Sequence, residues 1–275
     1  MKMLRKDRFR QFRAAICIAV VVIFAASAFG QKRMIVIGGG KRPAEAMKRF
    51  VEWSGGEKAR ILVVTWASGD PEASFKALKD SIVEYKPASV EISPSKPLDA
   101  EKRKQFVTQL AAATGVFFTG GDQNRIMDVL KDEELLKMIR ERYAAGVVMS
   151  GTSAGAAVMS DPMMTGDADL KKLDGTKVGV RTGLGLEANI IFDQHFLVRQ
   201  RHNRLFGLMM VNPAMLGIGI DEDMAVLITD GRRLEIVGPT QVMFVDPKKV
   251  KGGMAVYFLK AGDVFDIRKR KTMAK

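Results

Sequence analysis

The chain has 275 residues, of which 47% are hydrophobic, so it can bury a full core. Its charged residues (27%) are interspersed, which excludes a disordered chain or a coiled coil. The formal net charge of +13 is inflated at one end: six of the 44 Lys and Arg and one of the 31 Asp and Glu precede residue 31, leaving +8. No aromatic residues interleave with the basic ones and no nucleic-acid motif is present, so no nucleic-acid partner is expected.

Residues 1–30 read as a signal peptide. Lys2, Arg5, Lys6, Arg8, Arg10 and Arg13 form a basic start, Ala14 to Phe24 an apolar stretch, and Ala25-Ala26-Ser27-Ala28 the small residues of a cleavage site. The apolar stretch is shorter than the ~20 residues of a membrane-spanning helix, which disfavours an uncleaved anchor. Cleavage after Ala28 or Gly30 would export residues 31–275, a single α/β domain, to the periplasm or beyond. Cys17 is the only cysteine and lies in this segment, so the exported chain has neither a disulfide nor a thiol nucleophile. Ile16 before it argues against lipidation.

Short, continuously apolar, β-rich runs then alternate with amphipathic stretches. Strands are expected at Met34–Ile37, Ile61–Val64, Val90–Ile92, Val116–Phe118 and Val147–Met149. Helical spacing marks Ala44–Trp53, Glu72–Tyr85, Glu101–Ala112 and, as two helices, Gln123–Tyr143. This pattern predicts a parallel sheet flanked by helices. Beyond about Ile218 come four closely spaced strands at Ala225–Ile228, Leu234–Val237, Val242–Val245 and Ala255–Phe258, read as an antiparallel extension of that sheet. The basic tail Arg268-Lys269-Arg270-Lys271 reads as a frayed, solvated end.

Three glycine-rich turns fall at carboxyl ends of predicted strands, where open parallel sheets bind ligands: Gly38-Gly39-Gly40, Gly120-Gly121-Asp122 and Gly151-Thr152-Ser153. The first fails the dinucleotide pattern, because Pro43 stands where the third glycine would be, and reads as a tight turn. The third is strand, Gly151-Thr152-Ser153-Ala154-Gly155, then small residues, a nucleophile elbow with Ser153 exposed. A serine needs a base, and the chain holds two histidines. His195 follows the apolar run Ile190-Ile191-Phe192 and so lies at a strand's carboxyl end, whereas His202 lies in an Arg-rich polar segment. His195 is therefore the expected base. For the group that orients the imidazole, spacing leaves Asp161, Asp167, Asp169, Asp174, Glu187 and Asp193 open. The amides of Gly120-Gly121-Asp122 could stabilise an oxyanion, Gln123 could reach a substrate, and Asp122 could cap a helix. Arg199, Arg201 and Arg204 suit carboxylates, which favours an acidic substrate. All three can serve one ligand only if the chain up to about residue 200 is not regular helix.

Together, Gly120-Gly121-Asp122-Gln123, Gly151-Thr152-Ser153-Ala154-Gly155-Ala156 and Asp193-Gln194-His195-Phe196 with the three arginines resemble the motifs of cyanophycinases. These belong with dipeptidase E-like serine peptidases on a scaffold similar to class I glutamine amidotransferases. The resemblance runs from about residue 33 to at least 210. It implies a flavodoxin-like α/β fold, Ser153 and His195 as catalytic pair, and Gly121 and Ala154 as oxyanion donors. It also implies Gln123, Asp193, Gln194, Arg199, Arg201 and Arg204 as substrate-binding residues, with no metal and no cofactor. The implied substrate is cyanophycin, a polyaspartate backbone bearing arginine side groups, cut to β-Asp-Arg dipeptides. These relatives place a Glu soon after the nucleophile helix; here Met164 to Leu170 holds none, so Asp169, or Asp167 in its stead, is expected as the third triad member. Isoaspartyl or aspartyl dipeptides are alternative substrates, and a homodimer is left open. An α/β-hydrolase esterase and a non-catalytic exported binding protein are the competing readings.

Overall fold

The structure, a computed structural model, describes residues 30–273. The expected signal peptide therefore falls outside the described residues, except for Gly30. Five parallel strands, β1 (Arg33–Ile37), β2 (Arg60–Val64), β3 (Ser89–Ile92), β4 (Gly115–Phe118) and β5 (Val148–Thr152), lie in the order β1-β5-β4-β2-β3. Their apolar runs are continuous because both faces are covered and successive side chains point to opposite faces. Ile35, Ile37, Ile61, Val63 and Phe117 meet α1 (Ala44–Trp53) and α2 (Pro71–Ile82) through Phe50, Val51, Leu78 and Ile82. Met34, Val36, Leu62, Val64, Val116 and Phe118 meet α3 (Ala100–Ala112), α4 (Gln123–Val129) and α5 (Glu133–Ala144) on the other face, through Phe106, Leu110, Ile126 and Ile139.

Aspartates set where four of these helices begin. Asp70, Asp99, Asp122 and Asp132 accept hydrogen bonds from the amides of Ala73, Lys102, Asn124, and Glu134 with Leu135. Each cap is worth about 1 kcal/mol. The cap at Asp132 divides the amphipathic stretch from 123 to 143 into the two expected helices.

After the four-residue helix α6 (Ala154–Ala157), a hairpin arm of β6 (Met163–Met164) and β7 (Val180–Arg181) leads to β8 (Ile190–Gln194), α7 (His202–Val211) and β9 (Leu216–Ile220). The antiparallel extension is present: β10 (Ala225–Thr229) pairs with β1, β11 (Arg233–Val237) with β10, and β14 (Val264–Asp266) and β15 (Lys271–Thr272) follow outward. Two of the expected strands go elsewhere. Strands β12 (Gln241–Asp246) and β13 (Ala255–Lys260) join β8 and β9 in a second sheet, ordered β13-β12-β9-β8. Between β11 and β12 the chain turns at Gly238 (φ 131°) and Pro239, and the free edge of β9 receives β12. Phe244 stacks on Phe265 with ring centroids 4.8 Å apart, sealing the two sheets together.

The basic tail is not frayed. Lys271 pairs with Asp266 in the β14–β15 ladder. Arg270 reaches the fully buried Asp246 at 2.5 Å and also donates to the carbonyls of Met215 and Ala214. Charge read as solvated is spent on closing the lower end of the second sheet. No helix among the described residues is long and apolar enough to cross a membrane.

Candidate active site

Strand β5 runs straight into α6 through Ser153, whose backbone (φ 53°, ψ −113°) is one that L-residues rarely adopt. Such a conformation costs about 1–3 kcal/mol and persists only where the surroundings impose it. Here the Ser153 amide donates to Ile37 O, and its carbonyl accepts from Ala156 and Ala157. The flanking glycines are required by space. A Cβ on Gly151 would lie 2.2 Å from Gly155 O, and one on Gly155 would lie 2.1 Å from Phe118 O. The turn therefore presents a half-buried hydroxyl at the carboxyl edge of the sheet, as an elbow should.

His195 is the first residue after β8 and lies over the end of β1 with a positive φ of 47°. Its amide donates to Gly38 O, and its Nε2 stands 2.7 Å from Ser153 Oγ. The glycine turn after β1 exists for this ring: a Cβ on Gly39 would lie 2.2 Å from His195 Cε1. The other ring nitrogen, Nδ1, lies 2.5 Å from Oε1 of Glu222, in the turn between β9 and β10. With Nδ1–H donating to that carboxylate, Nε2 is left to accept the Ser153 proton. Burial pushes the His195 pKa below its ordinary value, Glu222 opposes the shift, and the nearby charges of Arg199 and Arg201 add to it.

This geometry corrects the expected third member. Asp169 is exposed; its carboxylate accepts from the Lys171 amide and pairs with Lys172 at 3.3 Å. Asp167 bonds to Thr165 in the same exposed loop. Asp174 caps a short turn at Thr176, and Glu187 bonds to the Tyr143 hydroxyl. Asp193 is buried against Arg204. None of them contacts the imidazole, and Glu222 does. His202 stacks on Phe196 with ring centroids 5.0 Å apart and does not meet the serine.

Gly120 lies against the nucleophile, where a Cβ would come within 3.8 Å of Ser153 Oγ, and Gly121 follows with φ 134°. A Cβ on Gly121 would strike Ala67 O at 2.1 Å, so only glycine allows the loop this course. Ala154 opens α6, and its N–H has no intrahelical acceptor by position. Both amides stand in the turns that flank the hydroxyl.

The residues assigned to substrate contact divide sharply. Arg204 grips Asp193 with two guanidinium nitrogens, and Arg201 donates to the backbone and side-chain oxygens of Gln194 at 2.6 and 2.7 Å. Asp193 is fully buried and Arg204 nearly so, and Arg201 keeps 8% of its surface. Its pKa falls to about 10, through burial first and then through the neighbouring Arg204. Asp193 and Arg204 thus lie behind the surface and hold β8 and α7 together. Gln194 is likewise buried, and Gln123 is buried with its amide donating to Met164 O in the hairpin arm. Only Arg199 is exposed, in the irregular stretch before α7. That stretch is not regular helix, the condition under which the three arginines could share one ligand.

A hydroxyl, an imidazole and a carboxylate chained at 2.7 and 2.5 Å on a nucleophile elbow define a serine hydrolase. Among the described residues, no group of three or more His, Cys, Asp or Glu is arranged to hold a metal ion. The sequence model of Peptidase family S51 matches residues 34–236, and the chain belongs to that family as a serine-type peptidase, not an esterase of the α/β-hydrolase class. It is 35% identical to the cyanophycinase of Nostoc sp. over 221 residues, covering 79% of this chain and 74% of the relative. With the cyanophycinase of Geminocystis herdmanii the identity is 32%, covering 78% and 80%. Among solved structures, a peptidase from an acI-B1 Actinobacterium superposes with a TM-score of 0.67 at 21% identity, covering 86% of this chain and 97% of that one. A putative Peptidase E protein from Listeria monocytogenes gives 0.55 at 19%, covering 77% and 100%. These two likenesses concern the fold.

Proposed function

We propose that the protein is exported and hydrolyses cyanophycin or closely related aspartyl peptides through an acyl-enzyme on Ser153. The observation that carries the mechanism is the chain Ser153–His195–Glu222. His195 Nε2 takes the hydroxyl proton as Ser153 Oγ bonds to the substrate carbonyl carbon. Glu222 holds the ring and stabilises the imidazolium that forms. The oxyanion is received by the amides of Gly121 and Ala154. His195 returns the proton to the leaving nitrogen as the C–N bond breaks, and water then releases the acyl group by the same steps in reverse.

The substrate class is supported by the cyanophycinases among the relatives and by the exposed Arg199, whose guanidinium suits a carboxylate. The reading as a binding protein without turnover rested on a missing carboxylate, and Glu222 removes that motive. Export is supported by the basic, apolar and small-residue pattern of residues 1–30. Incubation with cyanophycin should release β-Asp-Arg, and Ser153→Ala should abolish the release. Persisting release in that variant would sink the proposal. N-terminal sequencing of protein from the culture medium or periplasm should begin at Phe29 or Gln31; a start at Met1 would remove export by cleavage.

A further inference from the structure

The carboxylate that meets His195 belongs to a turn of three acidic residues, and each of the three holds a different wall of the site. Asp221 Oδ1 accepts the amides of Leu197 and Val198 at 3.0 and 3.1 Å, at the start of the irregular segment that presents Arg199. Glu222 takes the imidazole. Asp223 Oδ1 accepts the Lys41 amide at 2.6 Å, while the Asp223 amide donates to Gly39 O at 3.0 Å. The glycine turn fits against the same three residues. A Cβ on Gly38 would lie 2.1 Å from Asp221 O, and one on Gly40 would lie 2.4 Å from Asp223 Oδ1 and 2.9 Å from Glu222 Cβ. Gly39, between them, abuts the His195 ring.

We propose that Asp221 and Asp223 are positioning residues of the hydrolytic site, with separable duties. Asp223 locks the Gly38–Lys41 turn against the imidazole and so fixes the aim of Nε2 at Ser153. Asp221 locks residues 197–198 and so fixes where Arg199 meets the substrate. The geometry supports this division because the two carboxylates bind different segments with no shared partner. Misplacing a reacting group by about 1 Å can cost 10²-fold in rate. The Asp223 duty should therefore appear in kcat and the Asp221 duty in KM.

This rests on the proposed peptidase chemistry, so the test includes a readout that needs no peptide substrate. In the full chain, Asp223→Ala should slow covalent labelling of Ser153 by a fluorophosphonate, and lower kcat on cyanophycin, by about 10- to 100-fold. Its KM should be little changed. Asp221→Ala should label at the wild-type rate but raise KM about tenfold, the loss expected for one charge-assisted contact. Asn at either position keeps an oxygen acceptor for the same amides and should restore most of each loss. If the Ala variants are too unstable to assay, Glu at either position, which keeps a carboxylate but displaces it by one methylene, takes their place with the same expected losses. The proposal is overturned if both Ala variants lose only thermal stability with kcat, KM and labelling intact, or if the Asn variants are as impaired as Ala. Absence of cyanophycin turnover alongside wild-type fluorophosphonate labelling would instead strike the substrate assignment, and the labelling rate of Asp223→Ala would then decide the positioning proposal alone.

Discussion

Replacing Glu222 by Gln tests the corrected triad most directly. The substitution keeps the size of the side chain and removes the charge 2.5 Å from His195 Nδ1. Two things are lost: the preference for the tautomer that leaves Nε2 free, and the attraction that stabilises the imidazolium. A comparable replacement in a fully buried triad lowers kcat about 10⁴-fold. Here the Glu222 side chain retains 36% exposure, so solvent screens part of its field and the amide can rotate to present its oxygen. The expected loss is accordingly nearer 10³-fold in kcat, about 4 kcal/mol of transition-state stabilisation. KM should change little, because Glu222 faces the imidazole and not the substrate. Chromatographic assay of β-Asp-Arg release gives both constants, and thermal melting checks that the fold is intact. Asp169→Asn and Asp167→Asn, run in parallel, should stay within about twofold of wild type, as exposed residues with no contact to His195. A Glu222→Gln enzyme with more than a tenth of wild-type kcat, or an Asp169→Asn enzyme as crippled as Ser153→Ala, would refute the assignment.

Catalysis needs neutral His195, and burial lowers its pKa, so the acid limb of kcat/KM should lie below the ordinary histidine value of about 6.5. The positive charge of Arg199 contributes to that lowering, so Arg199→Ala should move the limb to higher pH; a limb that moves down would contradict it. Gly155→Ala sets a methyl 2.1 Å from Phe118 O, a backbone atom that cannot step aside alone. Overpacking of this kind costs about 1–3 kcal/mol or more, and a melting curve unmoved by the change would show that the elbow is slack. Arg270→Ala strands the buried Asp246 carboxylate and should destabilise by about 3–5 kcal/mol in denaturant titration. Lys271→Ala, at an exposed neighbour, should be close to neutral, and equal effects would refute the buried-pair argument.

The parallel half of the fold was legible because burial on both faces leaves a local mark: short runs of three or four residues, each followed by a helical period. The fate of Val242–Val245 and Ala255–Phe258 was not, since a strand that extends one sheet and a strand that starts another carry the same alternation. Only the partner edge decides, and β9 supplied it. Ser153 and His195 were legible for a related reason, each sitting at the carboxyl end of a run that reads as a strand. The buried network was not legible, because a ligand contact and an internal brace make the same demand on sequence. Arg204 needs a carboxylate either way, and Asp193 provides one from within the chain.

Glu222 was not legible because it lies beyond the stretch between nucleophile and base, and chain order does not bind a triad. The sheet imposes a different neighbourhood. Strands β8 and β9 run parallel with Gln194 opposite Ile220, so the residue after β8 must emerge beside the residue after β9. The first is His195 and the second opens Asp221-Glu222-Asp223. An acidic turn after an apolar run parallel to the base-bearing strand was thus the available signal, invisible until Leu216–Ile220 is recognised as a strand. The same register explains why a turn, and not the exposed loop with Asp167 and Asp169, carries the carboxylate. That loop is tied to Gln123, Asn124 and Asn203, and its carboxylates bond within it, to Thr165, Lys171 and Lys172. The turn's outer aspartates are bonded instead to the two segments flanking the imidazole, and orienting a ring requires that constraint.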